Sequence, residues 1–360
     1  METQGRKLDF SGQKIFVGID VHRKSWRVSV LIGDVLQKTI HMSPPDPETL
    51  LSFLNRSYPQ GEYSCVYEAG FCGFWAQRHL TMKGLKTIIV HAADVPTTDK
   101  ERQQKDDVRD SRKLARALRN GELAGIYVPE EAQQRVRALV RRRWTIVADR
   151  RRVMNRIKMH LHYFGTYPPG GALADWSWNK TFVSWLEEQS KTDKVLCSLL
   201  KQYQQERQLE KDVMGEVRKL LMKEPHVQTI KLLCSIPGIG FLSAALFLSE
   251  IVDIHRFDNL NQLCFYAGLT PQTNSSGEKE VARQRTSRGN KKLRTALIEC
   301  AWRAIHQDPE MTMCYAAYKK RMDGPHAIIK IARKLLNRIR HVWANGKPYE
   351  RLDAQKKEND

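Results

Sequence analysis

The chain has 360 residues, of which 41% are hydrophobic, including eight Trp and eleven Phe, so it is long enough for two or three domains with real cores and is not a disordered chain. Sixty Lys and Arg against forty Asp and Glu leave a net charge of +20. That excess points to a polyanionic partner, most simply nucleic acid. No apolar run approaches 18 residues, which excludes a membrane span and leads us to expect a soluble, cytoplasmic protein. The seven cysteines (65, 72, 197, 234, 264, 300 and 314) are odd in number, scattered and never spaced as Cys-x-x-Cys. They read as reduced thiols and not as disulfides or a zinc site.

In chain order, apolar runs at 14–21, 26–32 and 35–42 predict three strands, with Gly33-Asp34 marking a hairpin between the last two. The first run is apolar throughout, the pattern of a strand buried on both faces, and it delivers Asp20 at its end. A Pro-rich loop at 44–47 leads to a helix at 48–57, and a fourth strand, 63–68, ends on Glu68. A helix at 73–83 and a strand at 86–92 follow, so strands alternate with helices as in a mixed sheet covered on its faces. A helix then begins at Asp107, where Asp107, Asp110, Leu114 and Leu118 share one stripe at helical spacing.

Residues 130–164 read as a long basic helix, with ten Arg or Lys and one acid, Asp149, between Arg135 and Lys158. Charge runs usually form solvated helix faces. A run this one-sided repels itself, however, and favours a phosphate backbone, with Arg141, Arg142, Arg143, Arg150 and Arg151 as candidate contacts. Pro168-Pro169-Gly170-Gly171 breaks this helix, and 180–222 resumes a heptad-like pattern that predicts an antiparallel helical arm or coiled coil. Pro237-Gly238-Ile239-Gly240, ahead of an apolar helix at 241–251, resembles a helix-hairpin-helix turn, whose glycine N–H groups approach a phosphate; a tight turn inside a helical core is the plainer reading. A helix at 258–266 precedes a polar, turn-rich stretch. Arg283, Arg285, Arg288, Lys291, Lys292 and Arg294 then place six cations in twelve residues without an acid. Helices at 291–306 and 326–343 complete the chain.

Asp20, Glu68, Asp107 and Asp110 are the candidate chemistry. Each alone reads as a turn or helix-start residue. Carboxylates brought together repel and their pKa values rise, unless a hard divalent ion such as Mg²⁺ neutralises them. Two such ions stabilise the attacking and leaving oxygens of phosphoryl transfer. Acids on the first strand, the fourth strand and a late helix look like the RNase H-like fold in its RuvC-like form.

Over nearly its full length the sequence resembles the DEDD transposases of insertion sequences, together with the related Piv-type DNA invertases. The resemblance rests on Val17-Gly18-Ile19-Asp20-Val21, Glu68-Ala69-Gly70, Lys105-Asp106-Asp107-Val108-Arg109-Asp110, Ser235-Ile236-Pro237-Gly238-Ile239-Gly240, Tyr266-Ala267-Gly268-Leu269-Thr270-Pro271, Ser276-Gly277 and Ser287-Arg288-Gly289-Asn290. It implies Mg²⁺ ligation by Asp20, Glu68, Asp107 and Asp110, with Asp106 the alternative to Asp107. It implies a nucleophilic serine at Ser276, with Ser275 adjacent. It further implies donor and target DNA, a guide (bridge) RNA, and a homo-oligomer, dimer or tetramer, whose active sites combine the acids of one protomer with the serine of another. The expected organisation is an α/β RNase H-like catalytic domain at 14–129, a basic helical arm at 130–225 and a mostly α transposase domain at 226–346. The expected function is a prokaryotic recombinase that excises and inserts a mobile element through a covalent serine–DNA intermediate. The competing readings are a RuvC-like junction endonuclease and a non-catalytic nucleic-acid-binding protein.

Overall fold

The first apolar run, KIFVGIDV, is apolar on both faces from Ile15 to Ile19, and it becomes the central strand of a five-stranded sheet. The computed structural model describes residues 9–97, 107–171, 176–270 and 289–350, the side chains of 107 and 108 excepted. Two compact units divide the chain between Val128 and Pro129.

In the first unit, β1 (Lys14–Val21), β2 (Trp26–Ile32), β3 (Val35–Met42), β4 (Glu62–Glu68) and β5 (Lys86–Val90) form a sheet of order β3-β2-β1-β4-β5. β1 pairs antiparallel with β2 and parallel with β4; β2–β3 is antiparallel and β4–β5 parallel. The mixed sheet follows the predicted alternation of strands and helices.

Alternation along β1 sorts its side chains. Ile15, Val17 and Ile19 are fully buried in one core with Leu50 and Leu54 of α1 (Pro47–Ser57) and Leu80 of α2 (Trp75–Met82). Each such leucine contributes about 1.5–3 kcal/mol by leaving water. Asp46 starts α1, accepting from the Thr49 amide at 2.8 Å, and Pro47 fits the first helical position.

The other face carries Gly18, and over it runs α3 (Asp107–Arg119). A Cβ at position 18 would stand 2.0 Å from the Ser111 carbonyl oxygen and 2.5 Å from the Ala115 amide, so only glycine admits this approach of helix backbone to strand. Buried Ser111 and Ser29 of β2 share a hydroxyl hydrogen bond of 2.8 Å, and Leu114 packs with Val66 and Val90. Arg119, at the other end of α3, pairs with Asp34 at the β2–β3 hairpin. That hairpin lies at the end of the sheet where β1 starts, so α3 runs antiparallel to β1 and its N-terminus lies where β1 and β4 finish.

The second unit is helical. The basic stretch is α4 (Glu131–Tyr163), begun by a capping box between Glu130 and Gln133. The predicted single pattern at 180–222 is two helices, α5 (Lys180–Gln189) and α6 (Lys194–Leu221). Asp193 separates them by accepting from the amides of Val195 and Leu196, both at 2.9 Å, which starts a new helix where the heptad pattern alone suggested none. α4 and α6 are antiparallel: Val153, Ile157 and Leu161 share a core with Leu196, Leu200 and Tyr203, while Val136 and Val140 meet Val217 and Leu221. That second set belongs to the C-terminal core, so the arm is rooted in the helices that follow it.

Those helices are α7 (Val227–Cys234), α8 (Phe241–Ile251), α9 (Leu260–Tyr266), α10 (Lys291–Gln307), α11 (Pro309–Lys319) and α12 (Gly324–Asn345). α11 was not anticipated: Pro309 reads as a breaker, but Asp308 caps the helix and the proline occupies its first turn. All seven cysteines are free thiols, and four are buried; burial pushes the Cys65 thiol up to about 12. Among the described residues no helix is long and apolar enough to cross a membrane.

Gly18→Ala is expected to force α3 off β1 and cost about 1–3 kcal/mol or more. Gly215→Ala, at an open position inside α6, is expected to add about 0.5–1 kcal/mol. Urea unfolding of both variants checks the pair.

Candidate active site and nucleic-acid interface

The β1–β4 register ends at Ile19 opposite Tyr67, so Asp20 and Glu68 are the next residues on adjacent parallel strands. By alternation Asp20 lies on the face of Gly18, and Glu68 on the face of Val66, the face α3 covers. Asp110 lies one turn nearer the helix N-terminus than Leu114, and Asp107 is the first residue of α3. Three elements therefore bring Asp20, Glu68 and Asp110 to one edge of one sheet face, the edge at which α3 begins.

Asp20 is partly buried and meets Nε2 of His22 at 3.1 Å, while Asp110 faces the Lys113 ammonium at 3.5 Å, which also reaches the Thr97 hydroxyl at 3.4 Å. The side chain of Asp107 lies outside the described residues, as do Asp106, Ser275, Ser276, Arg283, Arg285 and Arg288. Among the described residues no three His, Cys, Asp or Glu side chains form a ready cluster for a metal ion.

The basic helix requires a correction. Its charge is not uncompensated, because acids from later helices face it. Glu210 of α6 accepts from Arg143 at 2.9 Å and also pairs with Arg150. Arg141 donates through Nε and Nη2 to the two oxygens of Glu250 at 2.6 and 2.7 Å. These three guanidiniums are held in internal ion pairs. Arg142 and Arg151 are exposed. Lys291 and Lys292 sit in the first turn of α10, where the helix dipole disfavours cations and a phosphate partner would offset the cost.

The Pro-Gly-x-Gly turn follows the plainer reading at its first glycine. The Gly238 amide donates to the Gln307 side chain at 2.8 Å, and Gly238 rests against the backbone of Cys300 and Ala304 in α10. That N–H is spent inside the fold.

Glu250 is the feature the sequence reading missed. Its side chain is wholly buried in α8, an otherwise apolar helix apart from its serines, and it receives Arg141 and the Asn290 side-chain amide at 2.7 Å, with Arg137 at 3.9 Å. Burial pushes this carboxyl up, and Arg141, Asn290 and Arg137 more than reverse that, leaving it below its ordinary value. A lone charged residue inside FLSAALFLSEI was the available signal.

Comparison with known proteins gives two family matches: residues 17–165 match the DEDD transposase domain of the IS110 type, and 230–316 match the transposase IS116/IS110/IS902 family. The chain is 31% identical to the putative transposase y4qE of Sinorhizobium fredii over 67% of its own length and 58% of that protein's. It is 28% identical to the putative transposase y4rJ of the same organism, over 89% of this chain and 90% of the relative. It is also 28% identical to the transposase for insertion sequence element IS1111A of Coxiella burnetii, over 66% and 64% of the two chains.

Removing the Glu250 charge leaves Arg137 and Arg141 without their acid, so Glu250→Gln is expected to cost about 3 kcal/mol, the low end for a buried pair because Arg141 is half exposed. The folded-state carboxyl titrates below its unfolded value of about 4.3, so this contribution is complete above that pH and is lost as pH falls through the folded value. Urea unfolding at pH 7 and pH 3.5 is expected to show the gap between wild type and Glu250→Gln narrowing at the lower pH.

Proposed function

From a chain that carries both domains of the IS110/IS116 transposase family, we propose a transposase that cuts and rejoins DNA to excise and insert a mobile element. The observation that carries this reading is the acidic edge: Asp20, Glu68 and Asp110 come to one end of one sheet face from three elements. A strand order of 3-2-1-4-5, with only β2 opposed to its neighbours, supports an RNase H-like reading of this unit.

The donor set fits a hard divalent cation such as Mg²⁺. It is all carboxylate oxygen, and hard cations bind through one or two carboxylates plus substrate phosphate. Asp20, Glu68 and Asp110, with Asp107 (or its neighbour Asp106), are the residues that would hold it. When bound, the ion supplies charge stabilisation to the phosphoryl group in flight. The carboxylates fix its place; Arg142, Arg151, Lys291 and Lys292 neutralise phosphates along the DNA and the guide RNA, both of which we include as partners.

Ser276 is assigned as nucleophile through the family resemblance. Its oxygen would form an ester bond with phosphorus while the bond from phosphorus to the leaving DNA oxygen breaks. The serine proton passes, in net terms, to that leaving oxygen. A hydroxyl of another DNA end reverses the step, so the number of phosphoester bonds is conserved and strands exchange without an energy cofactor. An acidic site of this kind also works with water, so the serine step needs its own test. We assign the working form to a homo-oligomer.

Asp20→Asn, Glu68→Gln and Asp110→Asn are each expected to lower strand cleavage at least about 100-fold, and chelation of divalent ions to abolish it. On a suicide DNA substrate the wild type is expected to accumulate a covalent protein–DNA adduct that Ser276→Ala does not form. Cleavage by Ser276→Ala at the wild-type rate would favour a hydrolytic junction endonuclease. Joint replacement of Arg142 and Arg151 by Ala is expected to lower the salt dependence of nucleic-acid binding by about two counterions.

A further inference from the structure

Residues 271–288 hold Ser276 and Arg283, Arg285 and Arg288, and the chain on either side of them is tied together. The Asn290 amide donates to the Tyr266 carbonyl at 2.8 Å. Gly289, at φ +108°, lies so close to Gly268 that a Cβ would stand 2.6 Å from the Gly268 Cα. The two feet of an eighteen-residue segment thus meet backbone to backbone.

Both feet also end on Glu250. On the far foot, the Asn290 side-chain amide donates to Oε2 at 2.7 Å while its Oδ1 accepts from the amides of Lys292 and Leu293, starting α10. On the near foot, the Tyr266 hydroxyl donates to the Glu250 carbonyl at 2.8 Å, and the Arg256 guanidinium lies 4.5 Å over the Tyr266 ring. From the arm, Arg141 grips both carboxylate oxygens, and Arg137 donates to the Ser249 carbonyl at 2.9 Å.

Stability does not call for such a cluster. Replacing a buried ion pair by well-packed apolar residues is often neutral or favourable. What directional hydrogen bonds to a fixed carboxylate supply, and apolar packing does not, is one defined geometry among the groups they join. Here the carboxylate joins the root of α4 to the start of α10, and the Glu250 main-chain carbonyl holds the end of α9.

We propose that Glu250 is the positioning residue of the segment that carries Ser276: through Arg141, Asn290 and Tyr266 it locks both feet of residues 271–288 to the root of the arm. This deepens the reading of Ser276 as nucleophile and rests on it for its catalytic consequence. The anchoring itself stands on the hydrogen bonds. Nucleic acid held by Arg142, the neighbour of Arg141 in sequence, would then bear on a helix whose next residue grips the anchor of the reactive segment.

The test uses Asn290→Ser and Asn290→Asp in the full chain. Both side chains still cap α10, but serine does not reach Glu250 and aspartate sets a second carboxylate against it. With the suicide DNA substrate at saturation, Asn290→Asp is expected to form adduct at least tenfold more slowly and Asn290→Ser several-fold more slowly. DNA affinity is expected to stay within twofold and the melting temperature within a few degrees for Asn290→Ser. Wild-type adduct rates in both variants would overturn the proposal, as would losses matched by equal losses of DNA affinity. Hydrogen exchange gives a readout independent of chemistry: both variants are expected to lose protection together at 262–270 and 289–296, with the rest of the helical unit unchanged. Unchanged protection at either foot would overturn the anchoring. If the wild type forms no adduct, the serine reading fails and hydrogen exchange alone decides the role of Glu250.

Discussion

Backbone lies directly on backbone where α3 crosses β1 at Gly18, and the arrangement of the first unit follows from that contact. A helix normally stands about 10 Å off a sheet on a layer of side chains. Here a missing Cβ lets the Ser111 carbonyl and the Ala115 amide descend onto the strand, and the Ser111–Ser29 hydroxyl pair fixes the helix along its length. With Arg119 tied to the hairpin at one end, the other end of α3 arrives at the edge where β1 and β4 deliver Asp20 and Glu68.

The charge of the helical unit divides into two kinds. Arg141, Arg143 and Arg150 neutralise Glu250 and Glu210, so part of the basic helix serves to hold α4, α6 and α8 together. Arg142 and Arg151, one residue further along in each case, remain at the surface, and Lys291 and Lys292 sit against the dipole of α10. Nearest-neighbour arginines on one helix thus do different work, decided by which side of the 3.6-residue repeat they occupy. Summed charge says how basic the helix is; the fold decides which of its cations an acid neutralises.

Local pattern made much of this legible. The apolar runs located the five strands of the sheet, the Pro-rich loop at 44–47 located the start of α1 to within one residue, and strand-end positions singled out Asp20 and Glu68. The shared stripe of Asp110 and Leu114 likewise reported the face that α3 turns to the sheet. What pattern does not carry is the long-range partner. Arg141 and Glu250 are 109 residues apart, and Arg143 and Glu210 are 67 apart, so the run between Arg135 and Lys158 looked uncompensated in the sequence. The break at Asp193 escaped for a related reason: a heptad-like pattern continues across it, and only the side-chain cap shows that a new helix begins.

In the proposed transposase, one edge of the sheet holds a divalent ion for phosphoryl transfer. Titration of the full chain with Mn²⁺, followed by its electron paramagnetic resonance signal, tests it most directly. The account predicts stoichiometric Mn²⁺ binding that Mg²⁺ displaces, and its loss in both Asp20→Asn and Glu68→Gln with the folded content of each variant unchanged. Equal Mn²⁺ binding by the wild type and both variants would contradict it.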